Sequence, residues 1–323
     1  MDKRRSPIVP PFARSCRAGP ARYSPLAMAG PSRGALGGLV RTMRPRQWVK
    51  NLFVLTPLVF AKELFSPMVA LRALGGFVTF CLLASAVYFV NDLVDVLADR
   101  AHPVKQNRPI ASGVLPTGAA KRIAVVLVVV ALGGSVTLGW AFAACALTYL
   151  ALNLAYSLKL KRIAYLDVLC IALGFELRVV SGSYAAQVPP SVYLLVVTFL
   201  LASFLGLGKR MHELNQGAGA EKQRAALKAY HPRALSVLLY VTAAATLATY
   251  VLYTLDPGTR SMFGTDYLIA TAAFSVFGVL RFVQLVGRSV TSESPTEEML
   301  RDKPFLVNLA LWAVSIVAVI YLS

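Results

Sequence analysis

Long apolar stretches separated by short polar or basic segments recur from residue 51 to the end of the 323-residue chain. Each stretch is long enough for a helix that crosses an apolar layer about 30 Å thick, because an α-helix rises about 1.5 Å per residue. The pattern predicts an all-α membrane protein with nine transmembrane helices. The predicted spans cover residues 48–64, 69–91, 121–139, 141–157, 166–186, 191–208, 234–254, 265–286 and 305–322. Gly139 and Trp140 separate the third span from the fourth, which predicts a tight hairpin.

Residues 1–40 differ from the rest of the chain. The chain as a whole is 57% hydrophobic with a mean hydropathy of +0.62, which is too apolar for a soluble protein. The first 40 residues are instead rich in Arg, Pro, Ser, Gly and Ala, with no acid after Asp2. They lack the apolar core of about 7–15 residues that a signal peptide needs. We therefore predict a disordered basic leader at 1–40, with Met28 or Met43 as alternative starts, and a nine-helix membrane domain at 41–323.

The charge of the chain is strongly positive, at +18 from 33 Lys and Arg against 15 Asp and Glu. Such an excess is also found in nucleic-acid-binding proteins, but here the cations lie in short loops between apolar stretches. Alternate loops hold Arg100, Lys105, Arg108, Lys121 and Arg122; Lys159, Lys161 and Arg162; Lys209, Arg210, Lys222, Arg224, Lys228 and Arg233; Arg288, Arg301 and Lys303. The other loops hold little beyond Lys62, Arg72 and Arg260. The positive-inside rule places the first set, and the N-terminus, in the cytoplasm. We predict a multi-pass protein of the inner (plasma) membrane that has no nucleic-acid partner.

The stretch VYFVNDLVDVLADR, residues 87–100, begins as an apolar helix and ends in acids. The polar residues in it are Asn91, Asp92, Asp95 and Asp99. On a continuous helix Asn91, Asp95 and Asp99 form one stripe, at a C-terminus whose dipole disfavours anions. Counter-charges must therefore come from Arg100, Lys105 and Arg108 or from a metal. Oxygen ligands without His or Cys suit Mg²⁺, so we predict these four residues as metal ligands and the three aspartates as catalytic. The alternative is a set of solvated surface acids, which is disfavoured at the end of a membrane helix.

Further polar residues lie on the same predicted face. They are Lys50 and Asn51 in PRQWVKN, Tyr156, Lys159, Lys161, Arg162 and Asp167 in AYSLKLKRIAYLDV, Lys209 and Arg210 in LGLGKRMHEL, and Asp302 in RDKPF. Lys and Arg at such positions also serve as snorkelling anchors. Anchoring does not explain the presence of Asn51, Asp167 and Glu213 beside them.

Glu176 and Arg178 lie inside the fifth predicted span. An unpaired charge there is costly, so each should face the protein interior and find a partner. They are two residues apart on a helix and do not face each other. Arg178 is a candidate phosphate ligand, and a structural ion pair between helices is the alternative.

The acidic stretch fits the pattern NDxxDxxxD and resembles the first aspartate-rich motif of the UbiA-type intramembrane prenyltransferase superfamily. YSLKLKR is similar to the YxxxKR element of that family, and the resemblance covers residues 41–323. It implies a UbiA-like bundle of nine helices. Relatives that prenylate an aromatic ring carry a second aspartate-rich motif after the sixth span, where this chain has GLGKRMHEL.

PRQWVKN, KRMHEL and RDKP resemble the decaprenyl-phosphate phosphoribosyltransferase branch. That branch implies phosphoribosyl pyrophosphate as donor, polyprenyl phosphate as acceptor, and a product used for cell-wall arabinan. By this resemblance Mg²⁺ at the acidic motif binds the donor's diphosphate. Lys159, Lys161, Arg162 and Arg178 then bind its phosphates, with support from Tyr156 and Asp167. Lys50, Lys209 and Arg210 bind the phosphate of either substrate. Apart from the resemblance, the loop HPVKQNRPIASG supplies Arg108 as a donor and is suited by its Pro and Gly residues to close over an anion.

Alternative functions stay open at this point. The nearest is a UbiA-type prenyltransferase that acts on an aromatic acceptor, which predicts the second acidic motif that is absent here. A transporter is more distant, since its ionisable groups belong near the membrane midplane. A structural scaffold would leave the acidic stretch unexplained. The sequence does not determine the oligomeric state, and a homo-oligomer is one of the open alternatives.

Overall fold

The structure is a computed structural model that describes residues 34–215, 225–288, 295–299 and 301–322. The described chain is built from α-helices, short 3₁₀-helices and turns, and contains no β-strand. The α-helices are α1 (Ala35–Met43), α2 (Thr56–Phe60), α3 (Pro67–Val94), α4 (Val96–Ala101), α5 (Thr117–Val136), α6 (Trp140–Leu158), α7 (Leu166–Ala186), α8 (Val192–Asn215), α9 (Pro232–Leu255), α10 (Pro257–Phe263), α11 (Ala272–Arg288), α12 (Pro295–Met299) and α13 (Lys303–Leu322). The 3₁₀-helices are Pro45–Leu55, Lys105–Asn107, Leu160–Arg162, Ala225–Ala229 and Tyr267–Thr271.

Within the described residues, eight helices are long and apolar enough to cross a membrane. They are α3, α5, α6, α7, α8, α9, α13 and the continuous helical stretch Tyr267–Gly287. These eight confirm the second to ninth predicted spans. The predicted hairpin between α5 and α6 is also present, and Gly139 adopts a φ of 113° there, a conformation that a glycine adopts readily.

The first predicted span, 48–64, is wrong as a single long helix. Residues Pro45–Leu55 form a 3₁₀-helix, which we call the inner segment, and α2 follows it. Eleven residues at about 2.0 Å each and five at about 1.5 Å extend roughly 30 Å. The inner segment runs antiparallel to α3, since Trp48 donates to Ser85 at 3.2 Å and Asn51 donates to Cys81 at 3.3 Å. Hydropathy counts apolar residues, so it did not distinguish this geometry from an α-helix.

The predicted leader, residues 1–40, lies outside the described residues as far as residue 33. Its last part is helical, because α1 begins at Ala35. Gly38 of α1 faces Pro109 and Val114, and Thr42 is buried. The folded domain therefore begins before the predicted boundary at residue 41.

Two of the four apolar cores among the described residues organise the main helix groups. One core joins α3, α5, α6 and α7 around Phe80, Phe142 and Tyr149. The other joins α8, α9 and α11 around Phe204 and Phe282. Contacts between α7 and α8 connect the two groups of helices, and the main cavity lies where the groups and the inner segment meet.

The bundle has two distinct ends. Asp92, Lys161 and Tyr230 lie at one end, which we call the motif end, together with the loops that carry most of the basic residues. At the opposite end, the far end, Arg72 donates to the carbonyl oxygens of Leu138 and Ala185 at 2.9 Å each. These carbonyls lie at or beside helix C-termini and lack helical partners. At the far end, a single arginine therefore satisfies backbone carbonyls of two helix ends, and few other basic residues are present in the loops there.

Gly182 of α7 lies directly against the backbone of Val54, and a Cβ at this position would overlap the carbonyl oxygen of Val54. We expect Gly182→Ala to destabilise the protein by about 2 kcal/mol, because overpacking forces the backbone to shift. Thermal unfolding of the purified protein in detergent measures this as a lower Tm. Gly133→Ala is the matched control, since nothing lies within 4 Å of a Cβ there. Equal Tm values for the two variants would contradict the close contact between α7 and the inner segment.

Candidate active site

A cavity of about 1310 Å³ extends through the bundle between the two helix groups. Its wall at the motif end is polar and includes Arg44, Asn91, Tyr156, Lys209 and Arg210. Lys50, which neighbours Asn51 on the inner segment, lies further along the same wall. Its wall towards the far end is mainly apolar and aromatic and includes Phe60, Leu247, Tyr250, Tyr253, Phe274 and Trp312. The cavity therefore offers a cationic compartment that continues into an apolar one. Six of the predicted site residues, Lys50, Asn91, Tyr156, Arg178, Lys209 and Arg210, line it directly.

The acidic motif does not form the single stripe that a continuous helix predicts. Helix α3 ends at Val94, and Asp95 separates it from α4. Arg108 Nη1 lies 3.2 Å from an oxygen of Asp92 and 2.7 Å from an oxygen of Asp99. Both carboxylates are buried, and Arg44 adds a second cation at 2.6 Å from Asp92. Asp92 and Asp99 thus form one buried group with two arginines, and the predicted pairing of Arg108 with the motif is present.

Asp95 belongs to a separate contact. Its side chain is 38% exposed and lies 3.2 Å from Lys161 Nζ. This ion pair joins the acidic motif to the 3₁₀-helix Leu160–Arg162, which carries the KR pair of the YxxxKR element. The two sequence motifs therefore meet in space at the motif end.

The donor atoms of the motif fit a divalent cation in type. Carboxylate and amide oxygens from Asn91, Asp92, Asp95 and Asp99 are ligands that Mg²⁺ prefers. In this structure Arg108 Nη1 stands between Asp92 and Asp99, where two buried carboxylates require positive charge. Among the described residues, no three His, Cys, Asp or Glu side chains form a metal-ligand cluster. The residues thus suit the ion in chemistry and charge, while arginines neutralise them in the arrangement seen here.

A smaller cavity of about 330 Å³ lies beside the motif, between α1 and the loop that follows α4. Its wall contains Arg41, Arg44, Lys105 and Arg108 against the single acid Asp92. Arg41 and Arg44 were not predicted as site residues. In the sequence, the signal for Arg44 is its position directly before PRQWVKN, which lies on the same predicted face as the basic loops. Arg44 lines both cavities, and its guanidinium lies 4.8 Å from the ring centroid of Tyr88.

Arg178 lies in the wall of the main cavity, buried in the interior of α7. Its Nε donates to Asn51 at 2.8 Å, its Nη1 to the carbonyl of Gly174 at 2.7 Å, and its Nη2 to the hydroxyl of Tyr149 at 2.7 Å. The rings of Tyr149 and Phe175 lie 4.7 and 5.2 Å from the guanidinium carbon. Asn51 is fully buried, so it holds Arg178 and does not face the cavity.

Asp167 and Arg210, both predicted to bind substrate, form a buried ion pair at 3.2 Å. Arg210 also pairs with Glu213, and the hydroxyl of Tyr230 donates to Asp167. Burial, followed by the bond to Asp167, raises the pKa of Tyr230, so this phenol stays a donor. The group ties the start of α7 to the end of α8 and to the segment before α9. Its carboxylates already supply the counter-charge of Arg210, which makes a structural role the better interpretation for both residues.

Three other predicted positions lie nearer the surface of the motif end. Lys159 and Arg162 are exposed beside Lys161 and are not in the wall of either cavity. Asp302 of RDKPF accepts from the N–H of Phe305, which caps α13, and pairs with Arg281 at 2.7 Å. The bond from Arg281 lowers the pKa of Asp302, so its carboxylate stays ionised at neutral pH. RDKPF therefore orients α13, a wall of the cavity.

Removal of Arg210 would leave Asp167 buried without its cation. We expect Arg210→Met to destabilise the protein by about 3–5 kcal/mol, as for other broken buried ion pairs. The double variant Arg210→Met with Asp167→Asn should recover much of that loss, because the fully buried residue 167 then carries no charge. Thermal unfolding of both variants in detergent measures the difference. A stable Arg210→Met variant that loses only substrate affinity would contradict the structural role.

Comparison with known proteins places this chain in a family. The model of the UbiA prenyltransferase family matches residues 52–301. The chain is 36% identical over 299 residues to the decaprenyl-phosphate phosphoribosyltransferase of Corynebacterium glutamicum, which covers 90% of this chain and 89% of that protein. It is 35% identical over 312 residues to the enzyme of the same name from Mycolicibacterium smegmatis, which covers 91% of this chain and 96% of that protein.

Solved structures agree on the fold. A UbiA homologue from Archaeoglobus fulgidus, bound to GPP and Mg²⁺, matches with a TM-score of 0.67 at 19% identity, over 88% of this chain and 99% of that one. At this identity the match speaks for the fold alone. With a family model across most of the chain, full-length relatives above 30% identity and the same helical fold, the chain belongs to the UbiA prenyltransferase family.

Proposed function

We propose that this protein transfers the 5-phosphoribosyl group of phosphoribosyl pyrophosphate to polyprenyl phosphate and releases diphosphate. The observation that carries the proposal is the main cavity, whose cationic compartment opens into an apolar one. Such a cavity suits a soluble, multiply phosphorylated sugar together with an amphipathic lipid phosphate. The names of the relatives that cover most of this chain support the same reaction. The product would serve the synthesis of cell-wall arabinan.

The donor's diphosphate is assigned to the acidic motif and the smaller cavity. Arg41, Arg44, Lys105 and Arg108 surround that cavity, and Lys161 reaches Asp95 from the other side. Arginine suits this task because its planar fork forms paired hydrogen bonds with phosphate oxygens. Lys159 and Arg162, exposed on the same 3₁₀ loop, would attract the donor from solution. The basic side chains that pair with Asp92, Asp95 and Asp99 in the structure would then bind the diphosphate.

Asn91, Asp92, Asp95 and Asp99 are the residues that would hold Mg²⁺. The ion, when bound, supplies positive charge to the departing diphosphate. Arg108 lies between Asp92 and Asp99, so it has to leave that position for both carboxylates to become ligands. A guanidinium released in this way remains beside the diphosphate and adds a second positive group.

The transfer breaks the bond between C1 of the ribose and the diphosphate oxygen, and the electron pair leaves with the diphosphate. An oxygen of the lipid phosphate forms the new bond to C1 from the opposite face. A phosphate monoester is already anionic, so the reaction needs no strong general base. The contribution of the protein is mainly positioning and electrostatic stabilisation, for which Lys50, Lys209 and Tyr156 are suitably placed in the cavity wall.

The orientation in the membrane follows from the charges. The basic loops converge at the motif end, which the positive-inside rule assigns to the cytoplasm. We infer a plasma-membrane protein with the N-terminus and the site on the cytoplasmic side, where the soluble donor is available. The inner segment, which extends along α3, would complete nine crossings with the eight long helices.

Product analysis tests the reaction. We expect radiolabel from ribose-labelled phosphoribosyl pyrophosphate to appear in a lipid-phosphate product when the purified protein is supplied with polyprenyl phosphate and Mg²⁺. Geranylgeranyl diphosphate with an aromatic acceptor is the parallel assay. Product from that assay alone would favour a prenyltransferase and overturn the proposal.

The acidic motif is tested by Asp95→Ala. We expect a loss of kcat of at least about 100-fold, because metal and charge stabilisation of a leaving group contributes several kcal/mol. A chelator should abolish wild-type activity, and added Mg²⁺ should restore it. Asp266→Ala is the control, since Asp266 is an exposed acid in an ion pair with Arg260 on the loop between α10 and α11. Near-wild-type turnover of Asp95→Ala would contradict the metal assignment.

A further inference from the structure

Arg178 is a buried cation with no acidic partner among the described residues. Its hydrogen bonds go to an amide, a backbone carbonyl and a phenol, all of them neutral. Glu176, the nearest acid along α7, has a buried oxygen without a hydrogen-bond partner and does not pair with Arg178. A buried charge without a counter-ion costs several kcal/mol. A site that keeps such a charge in a cavity wall is suited to an anionic ligand.

The guanidinium is fixed in place and still has donors to offer. It has five N–H groups, of which three are used in the bonds to Asn51, Gly174 and Tyr149. One N–H on each Nη therefore remains for a ligand in the cavity. The rings of Tyr149 and Phe175 stack beside the cation and restrict its movement. This is a preorganised anion-binding group.

The depth of Arg178 separates it from the acidic motif. Its partner Asn51 bonds to Cys81, and Cys81 precedes Asp92 on α3 by eleven residues, which corresponds to roughly 16 Å along the helix axis. A phosphate group at Arg178 would therefore be a different group from a diphosphate at the acidic motif. Beyond Arg178 the cavity wall becomes apolar and aromatic towards Phe60, Tyr253 and Trp312.

We infer that Arg178 binds the phosphate monoester of the lipid acceptor. This inference rests on the proposed function and makes it more specific. The head group of an amphiphile belongs at the border between a polar and an apolar compartment, and Arg178 lies at that border. An acceptor phosphate held there also approaches C1 from the side opposite the diphosphate. Arg178 was predicted to bind the donor together with Lys159, Lys161 and Arg162, but it lies at Asn51, apart from Lys161 at Asp95.

The donor's own 5-phosphate has the same chemistry, so the experiment must distinguish the two substrates. We expect Arg178→Gln to raise the KM for polyprenyl phosphate by about 10- to 100-fold, which is the range of a lost charged hydrogen bond. Its KM for phosphoribosyl pyrophosphate should stay close to the wild-type value. Arg178→Lys should recover part of the acceptor affinity, because it keeps the charge. Tyr149→Phe, which removes one neutral partner of the guanidinium, is the matched control and should have the smaller effect.

Ligand-induced thermal stabilisation provides a readout that does not depend on turnover. Polyprenyl phosphate should raise the Tm of the wild-type protein in detergent more than polyprenol, and Arg178→Gln should lose this difference. A selective rise of the donor KM, or a lower Tm with unchanged acceptor KM, would overturn the inference. If wild-type protein transfers no label, the proposed function fails. If it transfers label and Arg178→Gln keeps its acceptor affinity, only the inference about Arg178 fails.

Discussion

The structure depends on the pairing of charges that the membrane does not solvate. Asp92 and Asp99 are buried at the end of α3 and are stabilised because Arg44 and Arg108 lie against them. The same requirement brings Lys161 to Asp95. As a result, α1, the end of α3, the loop after α4 and the loop between α6 and α7 meet at one end of the bundle. If phosphates bind there, the basic side chains exchange carboxylate partners for phosphate oxygens.

The path of the inner segment is the second constraint. A 3₁₀-helix extends further per residue than an α-helix, so a short stretch follows α3 over much of its length. It fits because Gly182 lets the backbone of Val54 come close to α7. This contact brings Asn51 next to Arg178 and leaves Lys50 in the cavity wall. The positions of Asn51 and Lys50 thus depend on the 3₁₀ backbone geometry of the inner segment and on the absence of a side chain at Gly182.

Much of this could be predicted from the sequence. Hydropathy and loop charge gave eight of the long helices and the convergence of the basic loops on the acidic motif, because length and charge are local properties. The 3₁₀ geometry was missed, since apolar composition does not report the hydrogen-bonding pattern. The ion pairs of Arg44 with Asp92 and of Arg210 with Asp167 were not predicted, because the partner of an ionic group depends on contacts between distant segments. The separation of Asp95 from Asp92 and Asp99 likewise follows from a break in α3 that no residue pattern marks.

Two buried arginines show how partners decide function. Arg210 and Arg178 both line the main cavity and are both buried. Arg210 meets two carboxylates, Asp167 and Glu213, so its charge is compensated within the protein and its removal exposes an acid to the apolar interior. Among the described residues Arg178 meets only neutral groups, which is why we propose an anionic ligand as its counter-ion. The distinction rests on the presence or absence of a counter-ion, since both residues are arginines and both side chains are buried. In a membrane-embedded transferase of anionic substrates, the cation without an internal acid is therefore the better candidate for substrate binding.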